Sequence, residues 1–536
     1  MEIPEPKRKW VGESIKRSED PRFLTGRGQY IDDIQLPGLC HAACLRSPHA
    51  HARIKRIDTS KALALPGVLA VLTGQDCKRD TDPIGGPVRM YVLTPEKVRH
   101  VGEYVAAVVA ESRYVAEDAC DLIEVDYEVL PPVMDAEEAI KPGASLLHEE
   151  HGSNLLFHKV VTHGDVDKDF ASADHVFKGR FHWTRSLGAS LETYGAVASY
   201  NPSTGILDIW SGSQGYFFTI PASQALRLPK NRIRAHMVDI GGGFGNKLVS
   251  KGMILTGYLA LKTGRPVKFI EDRIDNLSSN DGHGEERWHE IELAVTQEGI
   301  FKSLKMKLVE DQGAYCSWGG PIATLNALAQ ITGPYKIGSV RVDMAQAVTN
   351  KCGQSVYRGV GNAFYFSLER TVERAARALK MDVAEIRQKN FIQPDEFPYT
   401  IPTGNIYDSG NPPACLNKLL ENAGYKKLRE EQARLRKEGK YMGIGLASMQ
   451  GRSVFSMVET WLHVDNPAFP LTSSPASTTI RVDGFGNFIV TLNFPTQGQA
   501  HETTIQQLVA DEFSIEPGSI SVVRPDSLNA APTVAV

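Results

Sequence analysis

Between residues 241 and 247 the chain reads Gly-Gly-Gly-Phe-Gly-Asn-Lys, and this segment limits the possible folds more than any other. Arg232–Ile240 before it has the pattern of a strand, and Ser250–Thr263 after it has the pattern of a helix ending at Gly264. A strand, a glycine-rich turn and a helix in succession fit the mixed sheet-and-helix domain that residues 175–400 suggest. Glycine lets a backbone approach a ligand closely, and a helix N-terminus offers unpaired N–H groups to an anion. Two familiar readings fail. A phosphate loop ends Gly-Lys-Ser/Thr, whereas Asn246-Lys247-Leu248 stands here. A dinucleotide fingerprint needs a third glycine where Asn246 sits. A tight strand-to-helix turn accounts for the glycines but not for Phe244, a large apolar side chain set among four of them.

Two further segments have the same character. Gln497-Gly498-Gln499-Ala500-His501-Glu502 lies at another strand-to-helix junction and supplies neutral donors and acceptors suited to a polar ring. A polar turn capped by Glu502 or Thr503 fits those residues equally well. Tyr357-Arg358-Gly359-Val360-Gly361 places an arginine beside glycines, either as a fixed guanidinium for an anion or oxo group or as an ordinary turn residue. His49 and His51 share a strand face but have no third and fourth metal ligand nearby, so they read as structural. His501 and Glu502 lack zinc-hydrolase spacing.

The rest of the chain bounds the class. Its 536 residues suggest three to five domains. A formal charge of −4 argues against a nucleic-acid partner. No run approaches the ~20 apolar residues of a membrane span, and MEIPEPKRKW lacks a signal-peptide core, so a cytoplasmic location is expected. Seven cysteines without a CxxC pair disfavour zinc and iron–sulfur sites and suggest reduced, mostly buried thiols. Tyr104–Ala110 reads as a buried strand, Ser112–Cys120 as a helix, and Ile123–Val129 as a strand alternating with acidic residues. Pro142–Gly152 reads as a linker. Leu368, Val372, Ala375 and Leu379 share a helix face, and Asp382 with Glu385 starts another helix. Leu416–Gly439 is charged and helical and leads to a third unit. That unit has strands near Thr479–Val482 and Phe488–Leu492, then a helix from about Thr503 with Ile505, Leu508, Val509 and Phe513 on one side.

Taken together, GGGFGNK, VYRGVGN, QGQAHETT and RSPHAHARIKRIDTSKALALPGVLAVLTGQD closely resemble the molybdopterin-binding large chain of the xanthine dehydrogenase, aldehyde oxidase and carbon monoxide dehydrogenase family. VGEYVAAVVAESRYVAEDA, GRPVKFIEDR and ERTVERAARAL match as well, so the resemblance runs from about Val11 to the last residue. It implies an α+β fold: an α/β hammerhead domain at 20–135, a molybdopterin-binding domain at 150–415 and a partial second one at 416–536. It implies a molybdenum–molybdopterin cofactor, often the cytosine dinucleotide form in bacteria, with no direct side-chain ligand to the metal and no iron–sulfur cluster or FAD in this chain. Carried over by motif, Gln214 lies near the metal oxo group, and Gly243, Phe244 and Gly245 form the loop over metal and substrate. Arg358 holds the cofactor region, and Gln499 lies beside the pterin. Ala500 stands where the family usually has glycine. Leu248 and Val360 are the expected pocket residues. Leu248 replaces the purine-binding glutamate of xanthine-type enzymes, and Gly359 replaces the cysteine of copper-using carbon monoxide dehydrogenases. The implied activity is therefore hydroxylation of an aldehyde or N-heteroaromatic substrate with water-derived oxygen. Electrons would pass to a small iron–sulfur subunit and an FAD-binding medium subunit.

The family's general-base glutamate lies in a Gly-Glu-Pro-like motif that this sequence lacks, since Gly102-Glu103 is followed by Tyr104 in the first domain. The base is thus expected beyond Val536, in a truncated or split large subunit completed by a separate C-terminal polypeptide. A non-catalytic remnant that keeps the scaffold is the alternative.

Overall fold

The computed structural model describes residues 9–451 and 477–530, except 85, 87, 217, 249–250, 280–281, 317–321 and 360–361. Its centre is a seven-stranded mixed sheet in the spatial order 233–237, 206–211, 195–201, 267–270, 40–46, 104–110, 68–73. Tyr104–Ala110 is apolar throughout and all seven residues are buried, as expected for a strand covered on both faces. Ser112 caps the following helix, Arg113–Asp121, by accepting from the Val115 N–H. That helix packs Ala116 and Ala119 on Ala106 and Val108. The sheet does not stop at the N-terminal segment, because Cys40 to Ala42 pair in parallel with Val267 to Phe269. Helix Lys251–Thr263 buries Met253, Ile254, Leu255 and Leu259 in one core with Leu207 and Ile233.

A second sheet of five strands, in the order 155–163, 339–347, 301–311, 286–295, 175–183, packs against helix Asn362–Ala378. Phe364, Leu368, Val372 and Ala375 face that core at helical spacing and are fully buried. Asp382 caps the next helix, Val383–Asn390, through the Ala384 N–H at 2.8 Å. The last unit is thinner. Strands Thr478–Val482, Phe488–Leu492 and Ile520–Val523 form a three-stranded sheet, and helix His501–Phe513 lies on it over a core of Val490, Leu492, Val509, Ala510 and Ile520.

Four expectations change. The strand expected at Arg232–Ile240 ends at Met237, because Asp239 is drawn out of the sheet by the Gln29 N–H and the Arg22 guanidinium. Leu147 and His148 are fully buried, so Pro142–Gly152 is not a loose linker; His148 Nε2 pairs with the Ala314 carbonyl at 2.8 Å. Residues 416–439 are two helices broken by Gly424 in the left-handed region. On helix His501–Phe513, Leu508 and Phe513 are half exposed, because the inner face is Thr503, Val509, Ala510 and the carboxylate-bearing Asp511.

Candidate active site

Four segments far apart in sequence meet around the glycine-rich loop. Gln214 is buried, and its Oε1 accepts from the Gly245 N–H at 2.9 Å and the Lys247 N–H at 3.3 Å. Its NH2 group has no partner among the described residues and remains available to a ligand. A Cβ at Gly243 would lie 2.2 Å from Gln497 Oε1 and 2.6 Å from Gln214 Cδ, so any side chain there would displace both amides. Gly245 has φ +93° and a Cβ there would meet the Val356 carbonyl at 2.1 Å. That carbonyl belongs to the 355–359 loop, whose Ser355 hydroxyl donates to Gly245 O at 2.9 Å. The Arg358 N–H donates to Phe244 O at 3.0 Å, and its guanidinium lies over the Phe244 ring at 5.2 Å.

Phe244, Arg358 and Ala500 all have left-handed backbone, with φ of 55°, 53° and 60°. A side chain in that region is strained by about 1–2 kcal/mol, and such strain concentrates at functional sites. Each of the three motif loops carries one such residue.

The loop is anchored from beneath by an ion pair. Lys247 is 2% exposed and its Nζ donates to Glu192 Oε2 at 2.6 Å. Burial pulls the Lys247 ammonium below its ordinary range, while Glu192 acts in the opposite direction. The same carboxylate accepts from the Gly241 and Ile31 N–H groups, so it fixes both ends of the glycine run. Asn246 ties the loop sideways, donating to Gly282 O and accepting from Gly188 N.

The structure therefore brings Gln214, Gly243, Phe244, Gly245 and Arg358 together. Leu248 is buried at the base of the loop, and Val360 lies outside the described residues. Gln499 turns onto its own loop and accepts from the Gln497 N–H at 2.6 Å; Gln497, not Gln499, reaches Gly243. Ala500 is the N-cap residue of helix His501–Phe513 and its side chain supplies no cap, so neither Glu502 nor Thr503 is the capping position. Glu192 and Gln497 join the site without a sequence signal of their own. Gln497 sits inside one of the glycine-rich motifs, whereas Glu192 lies about fifty residues from the loop and leaves no local signal.

The donor set has one chemical character: neutral amides, backbone N–H groups and a guanidinium. Among the described residues no group of three His, Cys, Asp or Glu side chains is placed to hold a metal ion. Gln497 Nε2 is buried without a partner among the described residues, and Gly359 and Gly498, both at positive φ, face open space. These residues suit a hydrogen-bonding heterocycle.

Comparison with known families agrees with that geometry. The aldehyde oxidase and xanthine dehydrogenase hammerhead domain matches residues 25–131, and two molybdopterin cofactor-binding domains match 147–391 and 418–535. The chain is 36% identical to the carbon monoxide dehydrogenase large chain of Afipia carboxidovorans, over 97% of this chain and 67% of that one. The chain belongs to the molybdopterin-binding large subunits of the xanthine dehydrogenase, aldehyde oxidase and carbon monoxide dehydrogenase family. Other members of the family are similar too. The nicotine 6-hydroxylase large subunit of Paenarthrobacter nicotinovorans is 34% identical over 97% of this chain and 64% of that subunit. The crystal structure of quinoline 2-oxidoreductase from Pseudomonas putida 86 superposes with a TM-score of 0.91 at 33% identity, covering 99% of this chain and 68% of that one. The chain thus spans about two thirds of the length of the relatives it matches. No helix among the described residues is long and apolar enough to cross a membrane.

Proposed function

We propose that this chain is the cofactor-binding and substrate-binding part of a molybdenum hydroxylase that oxidises an aldehyde or an N-heteroaromatic ring. The observation that carries the reading is the convergence of Gln214, Gln497, the 241–248 loop and the Arg358 loop on one site. When bound, the molybdenum–molybdopterin cofactor supplies the redox centre and the activated oxygen derived from water. The protein's part is to bind and orient. Gln214, held by two N–H groups, presents its NH2 as a fixed donor. Gln497 offers its buried Nε2 to the pterin, whose cytosine dinucleotide form is part of the proposal, and Gln499, folded back onto the Gln497 N–H, holds that turn beside it. Phe244, 38% exposed, gives an apolar wall for a flat substrate, and Leu248 closes the base of the loop without offering a carboxylate to a purine. Gly359 places no thiol after Arg358, which favours organic substrates over carbon monoxide.

Electrons would leave through a small iron–sulfur subunit and an FAD-binding medium subunit. The proton acceptor is assigned to none of these residues. Glu103, the nearest match to the base motif, accepts from Tyr315 and Thr94 and belongs to the core.

The test is purification with candidate partner polypeptides, followed by metal analysis, pterin release and dye reduction. Molybdenum with pterin, and reduction dependent on aldehydes or N-heteroaromatics but not on xanthine or carbon monoxide, is the expected result. Stoichiometric zinc or copper without molybdenum would refute it, and carbon monoxide-dependent reduction would refute the substrate class.

A further inference from the structure

Helix His501–Phe513 follows the Gln497–Ala500 loop directly, yet Ala500 provides no side-chain cap. The cap comes from the other end of the chain. The Glu19 carboxylate, 1% exposed, accepts from the Glu502 N–H at 3.1 Å, the Thr503 N–H at 3.4 Å and the Thr503 hydroxyl at 2.5 Å. Burial alone would raise the Glu19 carboxyl, but these hydrogen bonds hold it below its ordinary range. The preceding residues reinforce the contact: the N–H groups of Lys9, Trp10 and Val11 all donate to the Asp511 carboxylate at 2.8 Å. Residues 9–22 therefore run as a strap along this helix, from Asp511 to Glu502.

Where the strap passes the site, four charges close a ring. Arg22 Nη2 reaches Asp239 Oδ1 at 2.8 Å and Glu502 Oε1 at 3.2 Å. Arg524 Nη1 reaches the same Asp239 oxygen at 3.1 Å, and its Nη2 reaches the same Glu502 oxygen at 2.5 Å. Asp239 also exchanges backbone and side-chain hydrogen bonds with Gln29. Asp239 stands two residues before Gly241, and Glu502 stands two residues after Ala500. The ring thus spans the two loops that face each other across Gly243 and Gln497. All four side chains are partly or largely buried, with exposures of 28%, 9%, 16% and 15% for Arg22, Asp239, Glu502 and Arg524. Each arginine bridges both acids, so losing one leaves the other acid–arginine contacts in place but opens the ring.

We infer that Arg22 is a positioning residue: with Arg524 it sets the gap between the glycine-rich loop and the glutamine loop, and so controls how firmly the cofactor is held. This rests on the reading above that those loops hold a molybdopterin. A shift of about 1 Å between groups that must grip one ligand is a large change in binding geometry.

The experiment uses the purified complex containing the full chain and follows bound molybdenum and released pterin after gel filtration. Arg22→Ala is expected to lose cofactor roughly tenfold faster than wild type, which corresponds to ~1.4 kcal/mol. Arg22→Lys should restore part of the loss, and Arg22→Gln carries the same comparison if the alanine variant does not accumulate. Asp511→Asn loosens the strap at its far end without touching the ring. It should lower the Tm yet leave the rate of cofactor loss within about twofold of wild type. Equal acceleration in Asp511→Asn and the Arg22 variants at equal loss of Tm would overturn the inference, because the strap would then only hold the fold. So would unchanged cofactor loss in the Arg22 variants of a loaded complex. A wild-type complex that contains neither molybdenum nor pterin would overturn the proposed function as well, which separates the two failures.

Discussion

The loop at 241–248 and the loop at 497–502 present similar chemistry but are supported in opposite ways. The first stands on the seven-stranded sheet and is held from below, with Lys247 2% and Leu248 4% exposed. The second stands on three strands, of which Thr478–Val482 is exposed at every residue. Its helix is capped by Glu19 and its neighbouring charge is bridged by Arg22, both from the start of the chain. A loop rooted in a large core is fixed by burial. A loop on a thin layer has to be fixed by polar contacts brought from outside. The first arrangement fails through unpaired charge or steric overlap, and the second through loss of hydrogen bonds.

The largest effect is therefore expected at the root of the first loop. Glu192→Ala removes the hydrogen-bonded carboxylate from a buried ammonium and from two backbone N–H groups. Breaking one side of a buried ion pair costs about 3–5 kcal/mol. Urea unfolding of Glu192→Ala should show a loss of that order. A loss below about 1 kcal/mol, the value of an exposed pair, would break the distinction between the two supports.

Next comes Gly245→Ala. The added methyl would lie 2.1 Å from the Val356 carbonyl, at a φ of +93°. Overpacking of this kind costs roughly 1–3 kcal/mol. Since the displaced backbone carries Phe244 and the Arg358 contact, cofactor content should fall even where the fold survives. Full metal content in a folded Gly245→Ala protein would show that the loop tolerates movement.

These two predictions rest on unequal amounts of sequence information. Tyr104–Ala110 was legible as a short continuous apolar run, and the helices at Arg113–Asp121 and Asn362–Ala378 by their apolar periodicity, because such local patterns decide where these elements pack. The three motif loops were legible as glycine-rich junctions. Their meeting was implied only by the family resemblance and not by local pattern, since the contacts that make it, such as the Gly245 N–H on Gln214 and the Arg358 N–H on Phe244 O, join residues far apart in sequence. Gln497 and Gln499 were equivalent in sequence. Only the direction of the turn places Gln497 against Gly243 and folds Gln499 back. Glu192, Glu19 and Arg22 are single charged residues in unremarkable surroundings, and they matter because of what lies opposite them.

A smaller effect is expected at the cap of the second loop. Glu19→Gln keeps a hydrogen-bonding side chain but removes the charge that receives two N–H groups and a hydroxyl. Loss of a helix cap typically costs ~0.5–2 kcal/mol. The sign with pH follows from the lowered Glu19 carboxyl. Its contribution is fully present above the unfolded value of about 4.3 and is lost as pH falls through the lower folded value. Wild type and Glu19→Gln should therefore differ in Tm at neutral pH and converge in acid. A difference that grows on acidification would refute the cap.

The smallest effect sharpens the comparison because it runs the other way. Ala500 holds φ +60° at the N-cap, immediately before its helix. Alanine in the left-handed region is strained by about 1–2 kcal/mol, and glycine is not. Glycine also has more freedom in the unfolded chain, which opposes the gain by ~0.4–1 kcal/mol. Ala500→Gly should therefore be neutral to stabilising by up to ~1 kcal/mol, whereas Ala→Gly inside an ordinary helix destabilises by a similar amount. If the external cap and the charge ring are what keep Ala500 in place, relieving the strain should also reduce the dependence on them. Ala500→Gly in the Glu19→Gln background should then recover part of the lost stability, giving a non-additive double-mutant cycle. Strict additivity would mean that the strap and the loop strain are independent, and that the second loop is fixed by its own backbone after all.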